Sequence, residues 1–231
     1  MDSSYLAKNG RLPTLAVSLL ALLLISIALL DLRAANSGVE RTETRLGPTP
    51  ITVFRPAAES APDFPAPLPI VLIAHGFAGS QQLMQPFAVT FARNGYLAVT
   101  FDYYGHGRNL EPLAGDVTEV EGATRFLLEQ TSQVMDYARS LPGAGDDVIL
   151  LGHSMASDII VRYAQMDSRV DATIAVSMFS PAVTAQQPEN LLVIVGGLEG
   201  FLKEEALRVL GLVTEDPREA TTVGSFADGS A

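Results

Sequence analysis

Three short stretches of this chain carry residue types that do chemistry. Gly152-His153-Ser154-Met155-Ala156 stands between an apolar run (DVILL, 147–151) and a helical pattern (SDIIVRYAQM, 157–166). A serine at a sharp strand-to-helix turn has its hydroxyl held out above the sheet, and small neighbours let the chain turn that tightly. The helix N-terminus behind it offers free N–H groups and a favourable dipole to a developing oxyanion. Ala156 replaces the last glycine of the G-x-S-x-G pattern, so the turn is tighter by one methyl group. Such a string alone is a weak signal; its strand–turn–helix setting gives it weight. His75-Gly76-Phe77-Ala78-Gly79-Ser80 and Phe101-Asp102-Tyr103-Tyr104-Gly105-His106-Gly107-Arg108-Asn109 each close another apolar run with a glycine-rich loop. Each loop by itself reads as an ordinary turn.

The elements that must position these loops alternate in type. A strand pair is expected at 39–46 and 51–55, then a connection over 56–69 with five prolines, which reads as extended surface chain. Strands are expected at 70–74, 97–101, 148–151, 173–179 and 191–195, and helices at 81–94, 117–141, 155–166 and 202–210. Continuous apolar strands separated by helices imply a parallel sheet covered on both faces. Functional groups then collect at the carboxyl ends of the strands. The expected fold is α/β, a doubly wound, mostly parallel sheet.

Composition narrows the partners. A formal net charge of −11 excludes a general nucleic-acid binder, which needs a basic face. With 48% hydrophobic and 18% charged residues the chain is no disordered polymer. It has no Cys, so it offers neither a disulfide framework nor a thiolate, and no metal cluster or dinucleotide fingerprint competes; no cofactor is expected. The nineteen residues 12–30 carry no charge and would span about 28 Å as a helix, close to a bilayer core. A cleaved signal peptide fits less well, since a cut after Ala35 leaves Arg33 at −3. An amphipathic core helix would need polar residues at helical spacing, and there are none. The expected plan is a leader at 1–11, a membrane anchor at 12–32, a linker at 33–38, a globular domain at 39–213 and a polar tail at 214–231. Lys8 and Arg11 ahead of the span favour an extracytoplasmic domain, against which Arg33, Arg41 and Arg45 weigh.

The loops HGFAGS, FDYYGHGRN and GHSMAS, in this order and spacing, resemble those of the α/β-hydrolase superfamily, in its serine esterase, lipase and peptidase-like branch. The resemblance covers roughly 39–212. It implies a nucleophile at Ser154 and an oxyanion hole from the Phe77 and Met155 N–H groups. It also implies an acid after the next-but-one strand, where Glu199 stands, and a histidine beyond the final strand. Tyr103 and Tyr104, with Phe77 and Met155, are candidates to line an acyl pocket, or else ordinary packing. The three histidines, His75, His106 and His153, all precede Glu199. His153 should point away from its neighbour Ser154, His75 belongs to the oxyanion loop, and His106 is the least poor internal substitute. The pattern reads as a hydrolase cut short by one strand, one loop and one helix, and nearly inactive as it stands.

Two function classes follow. One is a membrane-anchored serine hydrolase cleaving ester, less readily amide, bonds in small-molecule or polymeric acyl substrates. The other is a membrane-tethered, hydrolase-like binding or scaffolding module without catalysis. The segment 181–190 has no room for cap helices, which argues for an open site.

Overall fold

The computed structural model describes residues 3–35, 37–60, 63–116 and 119–213. The chain divides into two units, Met1–Gly38 and Val39–Ala231. The first is a helix, α1 (Ser3–Ala35), which takes in residues 3–11 of the expected leader. Its segment Pro13–Ala34, 22 residues of mean hydropathy 2.6, is long and apolar enough to cross a membrane and equally has the character of a signal sequence.

The second unit is built on seven strands: β1 (Val39–Leu46), β2 (Thr49–Pro56), β3 (Leu68–Ala74), β4 (Leu97–Phe101), β5 (Ala144–His153), β6 (Ala172–Val176) and β7 (Leu191–Ile194). Their order in the sheet is β1-β2-β4-β3-β5-β6-β7. From β4 to β7 every pairing is parallel, while β1 and β2 add an antiparallel edge. The sheet is therefore mixed, mostly parallel, as the alternation implied. β3 explains why its sequence lacks alternation: Ile70, Leu72 and Ala74 belong to one apolar cluster, Val71 and Ile73 to another across the sheet. Helices α3 (Arg125–Arg139) and α4 (Met155–Met166) cover the first face through Leu127, Val134, Ile159 and Ile160. Helix α2 (Gln85–Arg93) covers the second through Ala88, Val89 and Ala92. Helix α5 (Gly200–Val213) packs by Val209 on Val161 and Ala175.

Several elements depart from the expected bounds. The first strand pair turns on Gly47-Pro48 alone, with Gly47 at φ +56, so Thr49 and Pro50 join β2. The helix expected over 117–141 begins at Arg125, after a wide π-type turn at Val120–Thr124. Gly122 breaks it: a Cβ there would stand 2.3 Å from the Asp116 carbonyl oxygen, so the close approach of two backbones overrides helix propensity. The strand expected to reach residue 179 stops at Val176, because Ser177 enters the left-handed region at φ +51. The tail at 214–231 lies outside the described residues.

Candidate active site

Ser154 sits at the end of β5, immediately before α4, with φ +53 and ψ −119. A non-glycine residue in that region is strained, and strain of this kind persists only where the surroundings enforce it. Two contacts do so here. Its N–H donates to the Val176 carbonyl (2.9 Å), and its own carbonyl accepts from the Ser157 N–H (2.8 Å). The flanking glycine is required: a Cβ on Gly152 would meet the Ala156 carbonyl oxygen at 2.5 Å. Ala156 is fully buried among the α3 and α4 side chains, so its methyl group points into the core rather than across the turn. Ser154 itself is exposed, and its Oγ makes no hydrogen bond among the described residues.

The loop after β3 presses against this turn. A Cβ on Gly76 would lie 2.9 Å from Ser154 Cβ and 3.0 Å from His153 Nδ1, which is why residue 76 has no side chain and where the His153 ring packs. A tight turn from Gly76 to Gly79 (3.0 Å) carries Ala78 at φ +55. Phe77 is exposed, and its ring meets His106 edge-on at 5.4 Å. Phe77 N–H has no acceptor among the described residues, and Met155, as the first residue of α4, has no intrahelical one. Both expected donors thus keep their N–H groups unspent among the described residues.

Beneath that surface lies a closed polar network. His75 is fully buried; its Nδ1 donates to the Gly76 carbonyl (2.8 Å) and its Nε2 accepts from the Tyr103 N–H (3.1 Å). These bonds define the neutral tautomer, and burial lowers its pKa below the ordinary 6.5. Asp102, also 0% exposed, accepts from Gln81 N–H (2.7 Å), Gln81 Nε2 (3.2 Å) and Arg108 N–H (2.9 Å). Gly107, at φ +55, leaves it room, since a Cβ there would fall 2.3 Å from Asp102 Oδ1. Gln130 donates to the Asp102 carbonyl and to Thr49 and accepts the Tyr104 N–H. His106 gives its Nδ1 to the Tyr104 carbonyl (2.7 Å).

Tyr103 requires a correction. It was a candidate to line an acyl pocket, yet it is 0% exposed, packed edge-on against Phe101 at 4.8 Å, with its hydroxyl on Thr131 (3.0 Å). It is a core residue with its polar end satisfied, and burial pushes its pKa far up. Tyr104 is half-buried on the surface of the same loop. Asp158 and Arg162, four residues apart on α4, are half-buried. Arg162 Nε donates to Asp158 Oδ2 (2.8 Å), and Ser180 donates to Oδ1 (2.6 Å).

Glu199 lies beyond the carboxyl end of β7, just ahead of α5. Its carboxylate accepts from the Ser177 hydroxyl (2.8 and 3.0 Å to its two oxygens) and from the Gly196 N–H (2.6 Å). Since Ser154 N–H bonds Val176 and Ser177 bonds Glu199, two successive residues at the end of β6 join the proposed nucleophile to the proposed acid. Sequence reasoning missed Ser177, Gln81 and Gln130. The glutamines left a trace, being polar residues in line with apolar helix positions; Ser177 left none.

The sequence of this chain matches no curated protein. Among solved structures, a ferulic acid esterase from Streptomyces cinnamoneus is similar at TM-score 0.54 and 17% identity, over 76% of this chain and 69% of its own. A Klebsiella pneumoniae protein designated as a dienelactone hydrolase is similar at 0.54 and 18%, over 76% and 81%. A hypothetical protein of Pseudomonas aeruginosa is similar at 0.51 and 16%, over 76% of this chain; this chain spans about half, 52%, of that one. At such identities these likenesses speak for the fold alone. The family model for serine aminopeptidase, S33, matches residues 65–216, about two thirds of the sequence and all three glycine-rich loops. With the strand order and the Ser154 turn already in place, that match means that the chain belongs to the serine aminopeptidase S33 family of α/β-hydrolases, enzymes of the serine-hydrolase type.

Proposed function

We propose that the protein is a membrane-anchored serine hydrolase that cleaves carboxylic esters, and amides less readily, through an acyl-enzyme on Ser154. The observation that carries this reading is the contrast at one sheet edge. Ser154 is exposed, strained and unpartnered at Oγ among the described residues, while His75 and Asp102 around it are spoken for. Ser154 Oγ would attack the acyl carbon, and the carbonyl oxygen, gaining charge, would be held by the Phe77 and Met155 N–H groups. The C–O bond to the leaving alcohol then breaks, and water releases the acyl group in a second addition. The Oγ proton goes to a general base and from it to the departing alcohol oxygen, with Glu199 as the acid that orients the base, and the same base takes the proton of the attacking water in the second addition. Exposed Phe77, Phe179 and Leu198 lie on loops after strand ends and exposed Phe201 in the first turn of α5, and residues 177–190 form no helix or strand. This favours bulky, uncharged acyl groups at an open site. Tyr104 is the remaining candidate to touch the substrate.

A second reading, a hydrolase-like binding module, draws on the histidines: His75 and His106 hold backbone carbonyls. Turnover of p-nitrophenyl butyrate and labelling by a fluorophosphonate, measured on the full chain and on Ser154→Ala, separate the two. The hydrolase reading expects the variant to lose the label and to fall to the uncatalysed rate of turnover, however slow the parent is. Equal rates would leave the binding module. The anchor is proposed on span length, with the catalytic unit outside the cytoplasm. It expects the chain to stay in the membrane pellet through alkaline carbonate extraction, and release into the supernatant would rule it out.

A further inference from the structure

The geometry points to Ser177 as a positioning residue that sets the Glu199 carboxylate against the Ser154 turn. This rests on the reading of Ser154 and Glu199 given above. Three observations meet at this residue. First, Ser177 is one of only three non-glycine residues among those described with positive φ, at +51; the others, Ser154 and Ala78, belong to the elbow and the oxyanion loop. Strain at a residue with a Cβ is retained where its neighbours over-determine it. Second, its N–H donates to the Ile194 carbonyl (2.8 Å), extending the β6–β7 pairing by one step past Val176. The left-handed twist thus falls after the last ladder bond and turns the side chain out of the strand's alternation. Third, the hydroxyl so turned spans both oxygens of Glu199, at 2.8 and 3.0 Å.

The rest of the Glu199 environment fits a held carboxylate. Gly196 N–H grips Oε2 at 2.6 Å, and a Cβ on Gly196 would close to 3.0 Å on that oxygen, so the turn after β7 is cut to the carboxylate. Glu199 N–H returns to the Gly196 carbonyl (3.0 Å), while the Glu199 carbonyl accepts Lys203 N–H (2.9 Å) and starts α5. One side of the carboxylate is therefore fastened to its own turn. Ser177 supplies the only hydrogen bond from another strand end among the described residues, and the preceding residue, Val176, supplies the acceptor for Ser154 N–H. Displacing the hydroxyl would free Glu199 to rotate with its turn, independently of the serine.

The test is a cycle of full-chain variants assayed for p-nitrophenyl butyrate turnover: Ser177→Ala, Ser177→Gly, Glu199→Gln and the double variant Ser177→Ala/Glu199→Gln. Glycine adopts φ +51 without strain, so Ser177→Gly removes the hydroxyl from a backbone that still folds. Both single variants at 177 are expected to lower kcat about tenfold and to leave KM within about twofold, because the hydroxyl meets the acid and not the substrate. In the Glu199→Gln background the Ser177 substitution is expected to add nothing, since it acts through the carboxylate. Parental kcat in Ser177→Gly, or the same tenfold loss repeated in the Glu199→Gln background, would overturn the role. Parental kcat in Glu199→Gln would refute the acid itself, and turnover no faster than Ser154→Ala would refute the nucleophile. Either result removes the proposal with its foundation.

Discussion

Asp102 and Glu199 are both carboxylates beyond the carboxyl ends of strands, on the same edge of the same sheet, yet they lie in opposite kinds of surroundings. Asp102 is fully buried, and two backbone N–H groups and one amide occupy it from the 81–85 segment and the 103–109 loop. His75 Nε2 comes only to 4.0 Å and already accepts the Tyr103 N–H. Glu199 stands at the rim, half-buried, with two donor groups on it, the Ser177 hydroxyl and the N–H of its own turn. A carboxylate wholly buried under three donors is part of the scaffold, and moving it would leave those donors unmet. A half-buried rim carboxylate with two donor groups can still accept a bond from a base. The difference between the two regions is therefore one of burial and of the number of donors already on each acid, and it favours a structural role for one and leaves the other open to chemistry.

The comparison can be broken in order of effect. The loss of labelling and turnover expected of Ser154→Ala is the largest, and it should come without a change in melting temperature, because the hydroxyl has no described partner to lose. Next, Asp102→Ala should destabilise the fold by about 3 kcal/mol, since it strands the buried Gln81 N–H and side-chain amide and frees the Arg108 N–H. A urea melt reads this as a lowered midpoint at unchanged slope, whereas Glu199→Gln should move the midpoint little. Similar midpoints for the two variants would erase the distinction drawn here. The smallest effect is one of pH. His75 is held neutral, with a folded pKa below its unfolded value of 6.5, so the unfolded chain binds the extra proton. Stability is then full above pH 6.5 and falls as the pH drops below it, by at most about 1.4 kcal/mol per unit from this one group. Thermal melts from pH 8 to pH 5 should show that decline in the parent and a shallower one in His75→Asn. Equal slopes would mean that His75 does not carry the effect.

Much of the architecture was legible in the residues. Apolar runs such as Ile70 to Ala74, with no polar face, required a sheet buried on both sides, and the small-residue turn around Ser154 marked the strand–helix junction. These are local signals: periodicity, glycine at close approaches, and the order of the loops. The break at Gly122 and the early end of β6 were not legible, because the first depends on the Asp116 backbone lying against Gly122 and the second on Ser177 taking a positive φ that its residue type does not announce.

The same division holds for the site. By itself the sequence determined the sheet class, the serine at its turn, the apolar N-terminal span and the position of all three histidines ahead of Glu199. Only the tertiary structure decided that Tyr103 is core, that Asp102 and His75 are consumed by backbone bonds, and that Ser177 meets Glu199 across 22 residues of chain. The physical reason is that a side chain's type says which bonds it can make, whereas folding decides which of those bonds are already taken.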